Sequence, residues 1–235
     1  RYFEFDKGII ALMYHRFDEH KYPSTNIQMD IFKEQINIIE NHEISFLHPK
    51  NLNEEISKPN EEKKILLTID DGFQSFYDNA WPILKKKNIP FILFISTAYV
   101  GKNGYMNWKQ IKEIEKSGLG IIGNHSHTHE YLVDKTNNQI INDLNQAIAL
   151  FEKELGHSPE YFSYPFGEYS NDFKKILINL NINVAFGQHS GVIDGTKNYL
   201  ELPRFPINEK YGNLDRFKFI IDLLPFPYKA IYPEN

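Results

Sequence analysis

Asp70 and Asp71 are adjacent carboxylates followed by Gly72, and His125, His127 and His129 are three histidines within five residues. Ionised neighbours repel, and removing both from water is unfavourable unless a cation or a proton compensates. On its own the aspartate pair reads equally as a solvated turn, as a helix cap before Phe73, or as part of a metal site. Imidazole nitrogens suit zinc and other late first-row divalent ions, and two histidines plus one carboxylate with open positions is the composition of a hydrolytic zinc site. The same donors also make the facial triad of non-haem iron oxygenases. Taken alone, the histidine cluster is equally a polar surface loop. A spacing of four would put His125 and His129 on one helical face, but Gly118, Gly120 and Gly123 just upstream favour a strand and a loop.

The elements around these residues follow one design. The run 65–69 is too short and too continuously apolar for an amphipathic helix and reads as a strand covered on both faces, as in a parallel sheet. The run 8–13 repeats it and delivers Tyr14 and His15 at its end. Phe32, Ile36 and Ile39 recur at helical spacing after Asp30, the expected N-cap, and a short strand follows near 44–47. A helix over 76–87 contains Pro82, which either kinks it or starts its main part. Strands are expected over 90–95, 119–122, 161–164 and 182–186, the last leading to Gln188 and His189. Asn107 caps a short helix. Thr136 and Gln139 have capping-box spacing before the apolar face Ile140, Leu144, Ala147, Ile148, Phe151 and Leu155, closed by Gly156. A helix over 173–180 and a last one over 214–224, capped by Asn213, precede a Pro-rich tail. Alternating strands and helices predict an α/β fold with a parallel sheet closed into a barrel, and the polar clusters then gather at its C-terminal face.

The chain has 235 residues with 41% hydrophobic, enough for a sizeable core, and reads as one domain over 1–235. A net charge of −5 with no basic stripe argues against a nucleic-acid partner. The absence of cysteine excludes disulfides, thiolate catalysis and sulfur-ligated metal, and it fits an envelope location as easily as a cytoplasmic one. No run approaches the roughly 18 apolar residues of a membrane span. Arg1 opens the chain without a signal peptide, as a trimmed or mature form does. No residue pattern specifies an oligomeric state.

Thr68-Ile69-Asp70-Asp71-Gly72, His125-Ser126-His127-Thr128-His129 and Tyr164-Pro165-Phe166-Gly167, in that order and at these separations, resemble the first three motifs of the polysaccharide deacetylase family, which shares the NodB homology domain. Met13-Tyr14-His15 and Leu202-Pro203-Arg204 also resemble it. The resemblance implies a distorted (β/α) barrel of about seven strands. It also implies metal-dependent removal of N- or O-acetyl groups from an acetylated polysaccharide, in the periplasm, the envelope or the medium. Residue by residue, it implies Asp70 as general base, Asp71, His125 and His129 as ligands of zinc, or of cobalt, nickel or iron, and the Phe166 backbone N–H as an oxyanion donor. His15, Tyr164 and Pro165 fall on the substrate side. Two departures stand out. Ser163 occupies the position of the family's arginine before the third motif, with Arg204 as the candidate cation to orient Asp70. The late Leu-x-His is missing, which leaves His189 as the candidate acid or substrate contact. The same site would also serve another amide hydrolase, such as a deformylase or cyclic-amide hydrolase, or a non-catalytic carbohydrate-binding relative.

Overall fold

A computed structural model describes residues 7–58 and 62–222. Ten strands and seven α-helices are found among the described residues. The strands are β1 (Gly8–Tyr14), β2 (Arg16–Phe17), β3 (Asn26–Ile27), β4 (Ser45–Phe46), β5 (Lys63–Ile69), β6 (Phe91–Ile95), β7 (Gly120–Asn124), β8 (Tyr161–Ser163), β9 (Val184–Phe186) and β10 (Phe205–Pro206). The helices are α1 (Met29–Asn41), α2 (Leu52–Ser57), α3 (Trp81–Lys87), α4 (Trp108–Lys116), α5 (Asn137–Leu155), α6 (Asn171–Asn179) and α7 (Leu214–Asp222). Seven parallel strands run in the order β10-β1-β5-β6-β7-β8-β9, with β4 also paired to β5. This is the expected α/β fold, a curled half-barrel in place of an evenly closed one.

The seam between β9 and β10 is bridged by the intervening segment. Leu202 pairs with Phe186, and Ile193 pairs with Ile9. Period-two alternation divides each strand. Ile10, Leu12 and Tyr14 of β1 and Ile65, Leu67 and Ile69 of β5 pack with α1, α3 and α4, whereas Ile9, Ala11, Leu66, Ile92, Phe94 and Phe186 form the inner cluster. Asp70 continues the inward series Leu66, Thr68, and so its carboxylate enters the barrel mouth.

Local chemistry sets most boundaries. Asn107 with Gln110 and Thr136 with Gln139 both close capping boxes, Gly156 ends α5 at φ 81°, and the Asn213 side chain accepts from the Arg216 backbone N–H at 3.0 Å. Pro82 starts α3 after the π-helical turn Phe76–Ala80 and does not kink a continuous helix. Asp30 does not cap α1. The helix opens after Gln28, and the carboxylate that accepts from the Met29 N–H at 2.8 Å belongs to Asp18, which the β2–β3 excursion brings back to it. The end of the expected last helix beyond residue 222 and the Pro-rich tail lie outside the described residues.

Candidate active site

The loops that follow β1, β5, β7 and β8 converge on one point. Asp71 Oδ1 lies 3.2 Å from His125 Nε2 and 3.3 Å from His129 Nε2, and it is buried with no hydrogen-bond partner. One ligand atom from each of these three residues falls within 4.8 Å of the others. His125 Nδ1 sits 2.6 Å from the Ser163 carbonyl, so that nitrogen donates to it and Nε2 is the ring atom turned toward Asp71. An orphaned carboxylate oxygen between two imidazoles, one with its tautomer fixed from behind, fits a divalent cation. Burial opposes the Asp71 charge, but His125, His129 and His15 outweigh it and hold the carboxyl well below its usual range.

Asp70 has a different environment. Arg204, fully buried, donates to it through Nη1 at 2.7 Å and Nη2 at 2.9 Å, the bidentate fork that guanidinium makes with carboxylate. Arg204 also donates to the Gly187 carbonyl, Thr68 Oγ1 and Ser163 Oγ, and its guanidinium rests near the Phe94 and Phe186 rings. The Ser163 hydroxyl donates to Asp70 Oδ2 at 3.1 Å. Burial pushes the Asp70 carboxyl up, but Arg204 and His125 prevail and lower it.

Strain gathers here as well. Of eight non-glycine residues with positive φ among the described residues, Asp71, Ser126, His129 and Phe166 belong to these loops. The histidine loop is tied down by Asp143 of α5, whose carboxylate accepts from the backbone N–H groups of His127 and Thr128 at 2.8 and 3.1 Å and from the Thr128 hydroxyl. Ser126 Oγ accepts from the His129 N–H at 3.0 Å. His127 turns away, its ring bonded to Thr97 Oγ1.

A pocket of about 360 Å³ opens beside the cluster, lined by Asp71, His129, Phe166, His15 and Gln188 and extending to Ser24, Thr25, Asn208 and Tyr211. His15 Nε2 is 3.9 Å from Asp70 Oδ2. The structure therefore brings Asp70, Asp71, His125, His129, Arg204, His15 and Phe166 together. His189 does not line this pocket; its carbonyl accepts from the Arg204 N–H, and its ring stands 6.4 Å from that of Tyr169. Tyr164 is buried, with its hydroxyl on the Leu200 carbonyl and its ring against Phe162 and Phe173, and Pro165 is buried beside it. These two shape the turn that presents Phe166. Sequence reasoning missed Asp143 and Gln188 and noticed Ser163 only as a departure. Asp143 had a legible signal: a carboxylate on the helical face of Ile140, Leu144 and Ala147 needs a buried partner.

A polysaccharide deacetylase family model matches residues 57–185, more than half of the chain. The chain belongs to the polysaccharide deacetylase family. It is accordingly a hydrolase of carbon–nitrogen bonds other than peptide bonds. Among curated relatives, a poly-beta-1,6-N-acetyl-D-glucosamine N-deacetylase of Staphylococcus aureus strain MSSA476 is 26% identical over 210 residues, spanning 83% of this chain and 71% of that protein. The Staphylococcus epidermidis protein of the same name is 29% identical over 196 residues, spanning 75% and 66%. The solved structure of IcaB from Ammonifex degensii superposes with a TM-score of 0.81 at 25% identity, covering 90% of this chain and 96% of that one. Among the described residues of this family member, no helix is long and apolar enough to cross a membrane.

Proposed function

We propose that residues 1–235 form one catalytic domain that removes N-acetyl groups from a polysaccharide of N-acetylglucosamine units in the envelope or outside the cell. The relatives' names support the sugar class. The observation that carries the chemistry is the unlike treatment of two adjacent carboxylates. Asp71 Oδ1 is unpartnered between two imidazoles, while Asp70 is clamped by Arg204.

In this reading Asp71, His125 and His129 hold a divalent cation, zinc before cobalt, nickel or iron. When bound, such an ion supplies positive charge that polarises the acetyl carbonyl and lowers the pKa of water. Asp70 accepts the proton of the water that attacks the carbonyl carbon, and Arg204 keeps that carboxylate ionised and aimed. The Phe166 backbone N–H meets the developing oxyanion. As the C–N bond breaks, the departing amine nitrogen must gain a proton. His15, which burial keeps neutral by lowering its pKa, stands 3.9 Å from Asp70 Oδ2 and relays that proton from Asp70 to nitrogen, the role for which sequence pointed to His189.

Acetate release from acetylated poly-β-1,6-glucosamine, chitooligosaccharides and O-acetylated glycans tests this, before and after chelation and zinc restoration. Release from an N-acetylated glucosamine polymer that stops with chelator and returns with zinc is expected. No release from any of them by protein carrying one metal ion per chain would refute it.

A further inference from the structure

Gln188 lines the pocket with Asp71, His129, Phe166 and His15, yet no step of the hydrolysis uses it. It follows β9 on a short bracket, residues 187–189, that is bonded on both flanks. The Gly187 N–H donates to the Leu202 carbonyl at 2.9 Å, and the Gly187 and His189 carbonyls accept from Arg204 Nε and from the Arg204 backbone N–H, each at 2.9 Å. The arginine that clamps Asp70 therefore also fixes the backbone that carries Gln188. The stem of Gln188 rests on Gly167, where an added Cβ would lie 2.5 Å from Gln188 Cγ and 2.6 Å from Gln188 Cβ. Phe166, the neighbour of that glycine, has its ring centre 5.0 Å from that of His129. Gln188 is thus held beside the oxyanion donor and the ligand cluster, with little rotamer freedom left to lose.

Its head group is free. No described residue hydrogen-bonds the Gln188 side-chain amide. Around it the pocket offers the titratable groups Asp71, His129 and His15 and the apolar side chains Met13 and Phe166. A scissile acetamide brings two polar groups to that place. Its carbonyl oxygen is met by the Phe166 N–H, whereas its own N–H is a donor that needs an acceptor once it leaves water. The need grows along the reaction. As the C–N bond breaks and the nitrogen takes its proton from His15, the nitrogen becomes positively charged and its N–H a stronger donor. An acceptor beside it then stabilises the transition state more than the ground state. The carbonyl of an amide side chain accepts such a bond without adding a charge to the cluster.

We propose that Gln188 Oε1 accepts the N–H of the scissile amide and holds the departing nitrogen with its lone pair toward His15, which makes Gln188 a determinant of amide over ester cleavage. The assignment rests on the deacetylase reading and deepens it at the leaving group. An ester puts an oxygen without hydrogen at that place, and its alcohol departs more readily than an amine, so attack by water limits its cleavage. Gln188→Met keeps the length of the side chain and removes the amide. Acetate release is measured for zinc-loaded wild type and Gln188→Met on an N-acetylated glucosamine tetrasaccharide and on its ester analogue, with oxygen in place of the scissile nitrogen. Where the ester is not turned over, its inhibition constant against the amide takes the place of its rate. Gln188→Met should lower kcat/KM on the amide about 10–100-fold, chiefly in kcat, and leave the ester within about threefold. Zinc affinity, read by chelator competition, and Tm should stay at wild-type values. An equal loss on amide and ester, no loss on the amide, a loss confined to KM, or a loss matched by weaker zinc binding would overturn it. Failure of the wild type to release acetate from the amide would refute the deacetylase reading and this assignment with it, whereas wild-type release with any of those patterns removes the assignment alone.

Discussion

Arg204→Met removes the cation from beneath Asp70 and leaves a fully buried carboxylate without its bidentate partner. Methionine keeps the length and apolar stem of arginine, so the change reports the charge and its hydrogen bonds more than the packing. Breaking a buried pair by removing one partner costs about 3–5 kcal/mol. At roughly 2–4 °C per kcal/mol for a chain of this size, that lowers Tm by about 6–20 °C. Asp70→Asn on the Arg204→Met background removes the stranded charge as well, and should recover at least about 2 kcal/mol relative to the single change. The pH dependence has a definite sign. In the wild type the folded pKa of Asp70 is depressed, so its contribution to stability is present above the unfolded value of about 3.9 and is lost as pH falls through the folded value. In Arg204→Met burial loses its main opponent and the folded pKa rises, so the penalty is full at neutral pH and fades as the carboxyl protonates. Urea denaturation of the three proteins at pH 5 and pH 8 measures this. A deficit below about 1 kcal/mol at pH 8, a deficit no smaller at pH 5, or a double variant no more stable than Arg204→Met would refute the reasoning.

Asp143→Asn replaces an acceptor of three hydrogen bonds with a group that keeps one oxygen and turns an NH2 toward the backbone N–H of either His127 or Thr128. Zinc affinity, read by competition with a chromophoric chelator, should fall about 10–100-fold. His15→Ala should lower kcat for acetate release about 100-fold or more while the protein still binds metal, whereas His189→Ala should stay within about tenfold, a contrast that steady-state kinetics reads directly. Gly167→Ala places a Cβ at φ 73° within 2.9 Å of the Gln188 backbone nitrogen. It should destabilise the protein by about 1–3 kcal/mol in thermal denaturation and lower activity by displacing the Gln188 wall of the pocket.

How much of this was legible in the sequence depends on whether the signal was local. The parallel strands announced themselves as short apolar runs, and because each polar cluster followed a run, its arrival at one rim required only the topology. Strand alternation runs through Ile69, the last residue of β5, and still turns Asp70 inward, but Asp71 departs at φ 76°, a backbone state that periodicity does not encode. The identity of the α1 cap was not legible, because Asp18 reaches Met29 only after the β2–β3 excursion folds back. The arginine is the sharper case. Where the third motif offers Ser163, the sequence names Arg204 as the candidate replacement cation, and the structure shows the route: its guanidinium reaches Asp70 beside the end of β8. Ser163 at the end of β8 is small enough to leave that place open and polar enough to bridge it, donating to Asp70 and accepting from Arg204, which enters from the seam before β10. The serine and the arginine, 41 residues apart, are thus one feature. Each explains the other only when the seam is seen closed.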